Sequence, residues 1–220
     1  ALHERVRAFS GALDAWGLGP GTHAVLLLPM GIDLYVALLG VIWGGRSAVL
    51  VDPSADKRRL DEALGRVGVD ALIATRRAHL LRVPMRSLRR LKLAVTDRSL
   101  GPFAHRFPRR GPDGTRRAPP EDEPALITFT TGTTGVPKAI GRSHAFLLAQ
   151  HEVLAGHMGL GDTDVDLPTL PVFLLNSLAA GATAVLPDGD LRDVSGMDPR
   201  RIAAQVRNHE VTTTSGSPAF

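Results

Sequence analysis

The sequence contains no cysteine. Disulfides, thiolate catalysis and cysteine-based zinc sites are thereby excluded, and a reducing, cytoplasmic setting is the compartment such usage fits. Aromatic residues are scarce, with one Tyr and two Trp in 220 residues, and no stacking platform for nucleic-acid bases is evident. The longest apolar run, Leu34 to Trp43, is too short to cross a bilayer. No signal-peptide pattern heads the chain, and no repeat recurs at a fixed period. No G-x-G-x-x-G follows the first apolar run, so no dinucleotide site is read. No His/Asp/Glu cluster has metal-ligand spacing, so no metal ligand is assigned.

What is present is a chain with 44% hydrophobic residues, enough to bury one large core or two small ones. Its net charge is +4 with a pI near 10.3. About half of the 26 Lys and Arg fall between Arg76 and Arg117, in pairs such as Arg76-Arg77, Arg89-Arg90 and Arg109-Arg110. Without nucleic-acid motifs beside them, these read as a solvated basic face and a linker rather than a nucleic-acid surface. The sharper reading of the same face is a dock for an acidic protein.

Leu2, Val6, Phe9, Leu13 and Trp16 recur at helical spacing, with Gly17 as a stop. Short apolar runs at Ala24–Leu28, Ala48–Val51, Ala71–Ala74 and Leu91–Val95 read as buried strands. Helices at Ile32–Trp43 and Asp56–Val67 separate them. This alternation predicts an α/β fold with a parallel, Rossmann-like sheet flanked by helices. Trp16 and Trp43 are expected in the core.

Phe107 to Glu123 is rich in Pro, Gly and charge, and reads as a linker. The expected organisation is a first α/β subdomain over 1–107, a linker over 108–124, and a second α/β subdomain over 125–220. The second is expected to hold a strand from Ala125 to Thr130 and a helix from Ala145 to Met158 that Ser143 could cap. Further strands are read at Val165–Leu167, Ala182–Leu186 and Val211–Thr214. Helices are read at Phe173–Ala180 and, capped by Asp198, at Pro199–Asn208. The chain begins with a helical pattern already running and ends on Ser217-Pro218-Ala219-Phe220. A piece of a longer protein is therefore expected.

The most distinctive stretch is Thr130-Thr131-Gly132-Thr133-Thr134-Gly135-Val136-Pro137-Lys138, after the apolar run Leu126–Phe129. Glycines let backbone N–H groups turn toward an anion, hydroxyls add donors, and lysine adds a charge. A Walker A loop is rejected, because Lys138 lies three residues beyond Gly135 and Ala139 follows it. A plain turn would not need this density of hydroxyls and glycines.

The same stretch resembles the signature loop of the adenylate-forming superfamily: acyl- and aryl-CoA synthetases, luciferases and peptide-synthetase adenylation domains. Arg142-Ser143-His144 sits where these enzymes carry a Ser/Thr-His pair before a helix, and Gly21–Leu28 through Asp52-Pro53 is similar to their first sheet unit. The resemblance covers nearly the whole chain but only the first part of such an enzyme. It implies ATP and Mg²⁺ as cofactors, a small carboxylic acid as substrate, and an acyl-adenylate with pyrophosphate as products. It makes Thr130, Thr131, Gly132, Thr133, Thr134, Gly135 and Lys138 the phosphate-loop residues, with Lys138 and Thr133 assisting the reaction. Charge developing on the pyrophosphate leaving group is what such donors would stabilise.

Asp166-Leu167-Pro168-Thr169-Leu170-Pro171-Val172-Phe173-Leu174-Leu175-Asn176 aligns with a segment where CoA ligases carry Pro-Leu-Phe-His, and Leu174 takes the His position. With Ala184-Val185-Leu186-Pro187-Asp188, it is closer to the β-lactone synthetases of olefin biosynthesis. The resemblance makes His144, Phe173, Leu174 and Asn176 candidates for the substrate pocket. Local packing is the plainer explanation for each, as it is for His151 and His157. Asp164 and Asp166 read as turn and strand-edge residues. The family's aromatic-Gly-x-Thr-Glu motif, ribose-binding Asp and catalytic Lys are absent from these residues, so a magnesium ligand is expected beyond residue 220. Two alternatives stay open: an acyl-CoA synthetase using CoA as acceptor, and a non-catalytic member that binds a nucleotide or a partner.

Overall fold

The computed structural model describes residues 1–52, 55–119, 122–130, 137–189, 191 and 196–216. Helix α1 (Leu2–Ala15) buries Val6, Phe9 and Leu13 along one face, as the spacing predicts. Helix α2 (Ile32–Trp43) is apolar on nearly every side and buries Leu34 through Leu38, Gly40 and Val41. A β-carbon on Gly40 would come within 2.8 Å of the Phe9 ring. Only glycine lets the two helices pack this closely.

Strands β1 (His23–Leu27), β2 (Ser47–Leu50), β3 (Ala71–Ala74) and β4 (Leu93–Thr96) are parallel, and their central residues are buried. Their unbroken apolar character suits strands covered on both faces. Val25, Leu27, Val49, Leu72, Ala74 and Ile127 form one core with Leu60 and Leu64 of α3 (Lys57–Val67) and with Met85 and Leu88. Period-two alternation turns Ala24, Leu26, Ala48 and Ile73 to the other face.

Two strands were not foreseen. β5 (His105–Arg106) adds to the β4 edge. β7 (Lys138–Ser143) returns antiparallel along β6 (Pro124–Thr130). The sheet order is β5-β4-β3-β1-β2-β6-β7.

The division expected at the linker is displaced. β6 pairs with β2 through Ala48–Leu126 and Val49–Ile127, so it completes the first sheet instead of opening a second. An unpaired β2 would leave a buried apolar edge with open hydrogen bonds. The chain divides instead into the compact units Ala1–Ala145 and Phe146–Phe220. The 108–119 stretch is irregular, as its composition demands, but it is pinned to the first unit. Gly114 N–H bonds Arg7 O at 2.9 Å, Trp43 Nε1 bonds Gly114 O at 3.0 Å, and Arg117 bonds Asp14 at 2.9 Å. A β-carbon on Gly114 would lie 2.5 Å from Gly11 N.

The tryptophans are half-buried at the margins rather than in the core. Trp16 stacks on His105 with centroids 4.4 Å apart, and Trp43 meets His3 edge-on. Each indole covers a chain segment, and the Trp43 N–H is held by Gly114 O.

In the second unit, β8 (Val165–Pro168) is the centre of a parallel sheet between β9 (Thr183–Ala184) and β10 (Thr213–Ser215). Helix α4 (His144–Met158) spans the division and buries no residue. Helix α5 (Pro171–Ala179) begins on its proline, and α6 (Pro199–Asn208) is capped by Asp198, whose carboxylate accepts from Arg200 N at 2.9 Å. β9 is shorter than Ala182–Leu186. Its pairing runs on only through Val185 N–H to Asp166 O at 2.8 Å.

Candidate functional site

Burial falls steadily along β6. Ala125, Leu126 and Ile127 are buried, Thr128 and Phe129 half-buried, and Thr130 exposed. The strand therefore leaves the apolar sheet and delivers its carboxyl end to solvent, which is the end at which open α/β sheets receive ligands. Thr130 and Lys138 are direct partners across the β6–β7 hairpin. Thr131, Gly132, Thr133, Thr134 and Gly135 lie in 131–136, outside the described residues.

Register places Thr128, Thr130, Lys138, Ile140 and Arg142 on one face of that hairpin. Arg142 donates through Nη1 to the Thr128 hydroxyl at 2.6 Å. A second cation thus lies on the lysine's face. Sequence reasoning saw Arg142 only as part of a motif, because nothing in Lys138–Ser143 announces the strand that sets it on this face. The hydroxyl, ammonium and guanidinium donors suit phosphate oxygens. Among the described residues, no group of three or more His, Cys, Asp or Glu could hold a metal ion.

His144 is separated from this face. It follows β7 at the end opposite Lys138, next to the register pair Pro124–Ser143. Six residues of extended chain span about 20 Å, which is the separation along the chain between Lys138 and the histidine. The intervening strand, unforeseen from sequence, is the reason. His144 Nε2 is buried with no partner among the described residues. Burial, and then the nearby Arg116 charge, hold its pKa below the ordinary histidine value.

The other pocket candidates lie in the second unit, on α5. Phe173 is half-buried, and Leu174 and Asn176 are buried. Asn176 accepts at Oδ1 from His151 Nδ1 at 2.8 Å, which leaves Nε2 as the acceptor of a neutral His151 ring. His151 was expected to be a packing residue, and only the pairing of α4 with α5 reveals the link. Asp166 is fully buried, takes a hydrogen bond from Ser177 Oγ and leaves Oδ1 unpartnered among the described residues. Burial pushes its pKa up. Asp164 fits the turn reading, accepting from Gly161 N at 2.9 Å and from Thr212 Oγ1 at 2.9 Å.

A mostly parallel central sheet flanked by helices, with a threonine- and lysine-flanked hairpin at its carboxyl end, defines an α/β protein of the open-sheet class. More narrowly, the chain belongs to the AMP-binding enzyme family, whose sequence model matches residues 1–220. It is 31% identical to the olefin β-lactone synthetase of Stenotrophomonas maltophilia and 33% to that of Xanthomonas campestris pv. campestris, each over the whole of this chain. It spans 41% and 40% of those relatives' lengths. The salicyl-AMP ligase of Mycobacterium tuberculosis is 29% identical, again over the whole of this chain and 41% of the relative. Among solved structures, apo MbtA of Mycobacterium smegmatis superposes with a TM-score of 0.82 at 25% identity, over 97% of this chain and 42% of that one. The anthranilate CoA ligase AuaEII with anthranoyl-AMP gives 0.82 at 19% identity, over 97% and 43%, a likeness of fold alone.

Proposed function

We propose that the full protein activates a carboxylic acid with ATP, forming an acyl-adenylate and releasing pyrophosphate. The observation that carries this reading is the Thr130–Lys138 hairpin at the carboxyl end of β6, in a chain of the AMP-binding family. ATP, when bound with Mg²⁺, supplies the electrophilic α-phosphorus and the pyrophosphate leaving group. Thr130 and Lys138 would hold the outer phosphates, joined by Thr131, Gly132, Thr133, Thr134 and Gly135. Lys138 balances charge that grows on the leaving group, an interaction stronger in the transition state than in the ground state.

The acid is proposed to be a β-hydroxy fatty acid whose own hydroxyl then closes a β-lactone. Two relatives bearing the name olefin β-lactone synthetase support this. So does aliphatic Leu174, buried where CoA ligases carry histidine. A second reading, transfer to CoA or a carrier, is favoured by a relative named L-proline–[L-prolyl-carrier protein] ligase, 27% identical. Incubating full-length protein with MgATP and a β-hydroxy fatty acid separates the two. Lactone without CoA supports the first reading, and product only on adding CoA or a carrier protein supports the second. The 220-residue chain by itself is expected to give no pyrophosphate exchange.

A further inference from the structure

Charge is distributed very unevenly along this chain. Residues 76–117 hold 13 of the 26 Lys and Arg but only 2 of the 22 Asp and Glu, so the remaining residues are net acidic. Part of that surplus, Arg76, Arg77, Arg82 and Arg98, falls on two neighbouring connections. After β3 the chain makes a short 3-10 turn, Ala78–Arg82, and after β4 it passes through Asp97 to Phe103 before β5. Both connections leave the carboxyl ends of neighbouring parallel strands, at the sheet edge farthest from the β6–β7 hairpin.

These two connections are tied together. Arg76 N–H donates to Asp97 Oδ1 at 2.7 Å, and Arg82 Nη1 donates to Phe103 O at 3.3 Å. On the joined surface, Leu80, Val83 and Phe103 are 71%, 71% and 75% exposed. Three large apolar side chains this bare on two hydrogen-bonded connections are uncommon on a soluble surface. The guanidinium groups of Arg76, Arg77 and Arg98 have no partner among the described residues. Next to the patch, sharing Asp97, is an open crevice of about 340 Å³ lined by Arg5, Asp33, Arg106, Phe107 and Arg109.

We propose that this corner docks an acidic protein through an amphipathic helix, whose apolar side chains cover Leu80, Val83 and Phe103 while its carboxylates meet Arg76, Arg77 and Arg98. An apolar centre with an arginine rim is the anatomy of a protein interface, and the surplus positive charge selects an acidic partner and speeds its encounter. Nucleic acid is disfavoured because the patch offers one aromatic ring rather than a row of stacking platforms. An anionic membrane is disfavoured because the surface is built from short connections rather than a long amphipathic helix, and Asp33 and Asp97 open beside it.

The test uses full-length protein and four probes: an acidic amphipathic Glu/Leu helical peptide, an all-Glu peptide of equal charge, duplex DNA, and phosphatidylserine vesicles. The amphipathic peptide is expected to bind in the micromolar range and to weaken about tenfold with Phe103→Ser and again with Arg98→Glu. The all-Glu peptide should bind less tightly and ignore Phe103→Ser. Leu80→Ser serves as a second apolar variant, with circular dichroism confirming that each variant is folded. Equal binding of the amphipathic peptide to parent and variants, or tighter binding to DNA or vesicles than to that peptide, overturns the proposal.

Discussion

In the unit Ala1–Ala145 the four parallel strands β1 to β4 bury almost nothing but aliphatic side chains, and the polar exceptions are satisfied. Ser47 bonds Pro124 O and Thr96 bonds Asp97. In the unit Phe146–Phe220 the central strand β8 instead buries Asp166 beside Leu167, and Thr169 follows directly. The buried polar atoms lacking partners among the described residues divide the same way. In the first unit they sit off the strands, on Ser10, Tyr35, Arg46, His79 and His144, whereas in the second they sit at or beside β8 and β10, on Asp166, Thr169 and Ser215. Each such atom costs about 1–3 kcal/mol. The first sheet is therefore built for stability. The second places costly polar groups along and beyond its strands, toward the carboxyl ends where parallel sheets meet ligands.

Truncating a central leucine in each unit puts that contrast under the greatest strain. Leu72→Ala on β3 should cost about 3–5 kcal/mol, since it opens a cavity in the densest part of the core, and Leu167→Ala on β8 about 2–3 kcal/mol. Chemical denaturation of the full-length variants measures both, and a larger loss at Leu167 would reverse the assignment of the stable core. Asp14→Ala should cost a similar amount, about 3 kcal/mol. Arg46 is 1% exposed and bonds Asp14 and Leu18 O. Removing the carboxylate strands its charge, while Arg117, itself 39% exposed, can turn to water. Asp14→Ala stability within error of the parent would mean that the buried guanidinium is compensated elsewhere.

The smallest effects are pH-dependent and opposite in sign. Asp166 has its folded pKa raised by burial above the ordinary 3.8. Its contribution to stability is full below that value and is lost as pH rises through the folded pKa, so Asp166→Asn should raise Tm at pH 7 and lose the advantage near pH 4. His144 has its folded pKa lowered from 6.5 by burial and Arg116. Its contribution is full above pH 6.5 and fades as pH falls through the lower folded value, so the parent should lose stability in mild acid and His144→Gln should lose less. Flat Tm profiles for both pairs of proteins would remove the electrostatic side of the comparison.

Much of the first unit was legible in the sequence because its strands are short, continuous apolar runs between helices with clear stops. α2 and β3 fall on the expected residues, and Asp198 and Pro199 start α6 as read. β7 was not legible. Lys138–Ser143 is exposed along most of its length and carries Lys, Gly, Arg and Ser, so it has no apolar alternation to announce it and is a strand only because β6 offers an edge. That strand sets His144 at the far end of β7 from Lys138. The His151–Asn176 contact was invisible for a related reason. It joins residues 25 apart on two helices, and neither helix carries a pattern that records the other.

The central claim is that the hairpin closed by Thr130 and Lys138 grips the outer phosphates of ATP while a carboxylic acid is adenylated. Carboxylate-dependent exchange of labelled pyrophosphate into ATP, measured on the full-length protein and its Lys138→Ala variant, tests it most directly. The account predicts exchange that needs a β-hydroxy fatty acid and falls about 10²-fold in the variant. Exchange that proceeds equally in both proteins, or no acid-dependent exchange in the parent, would contradict it.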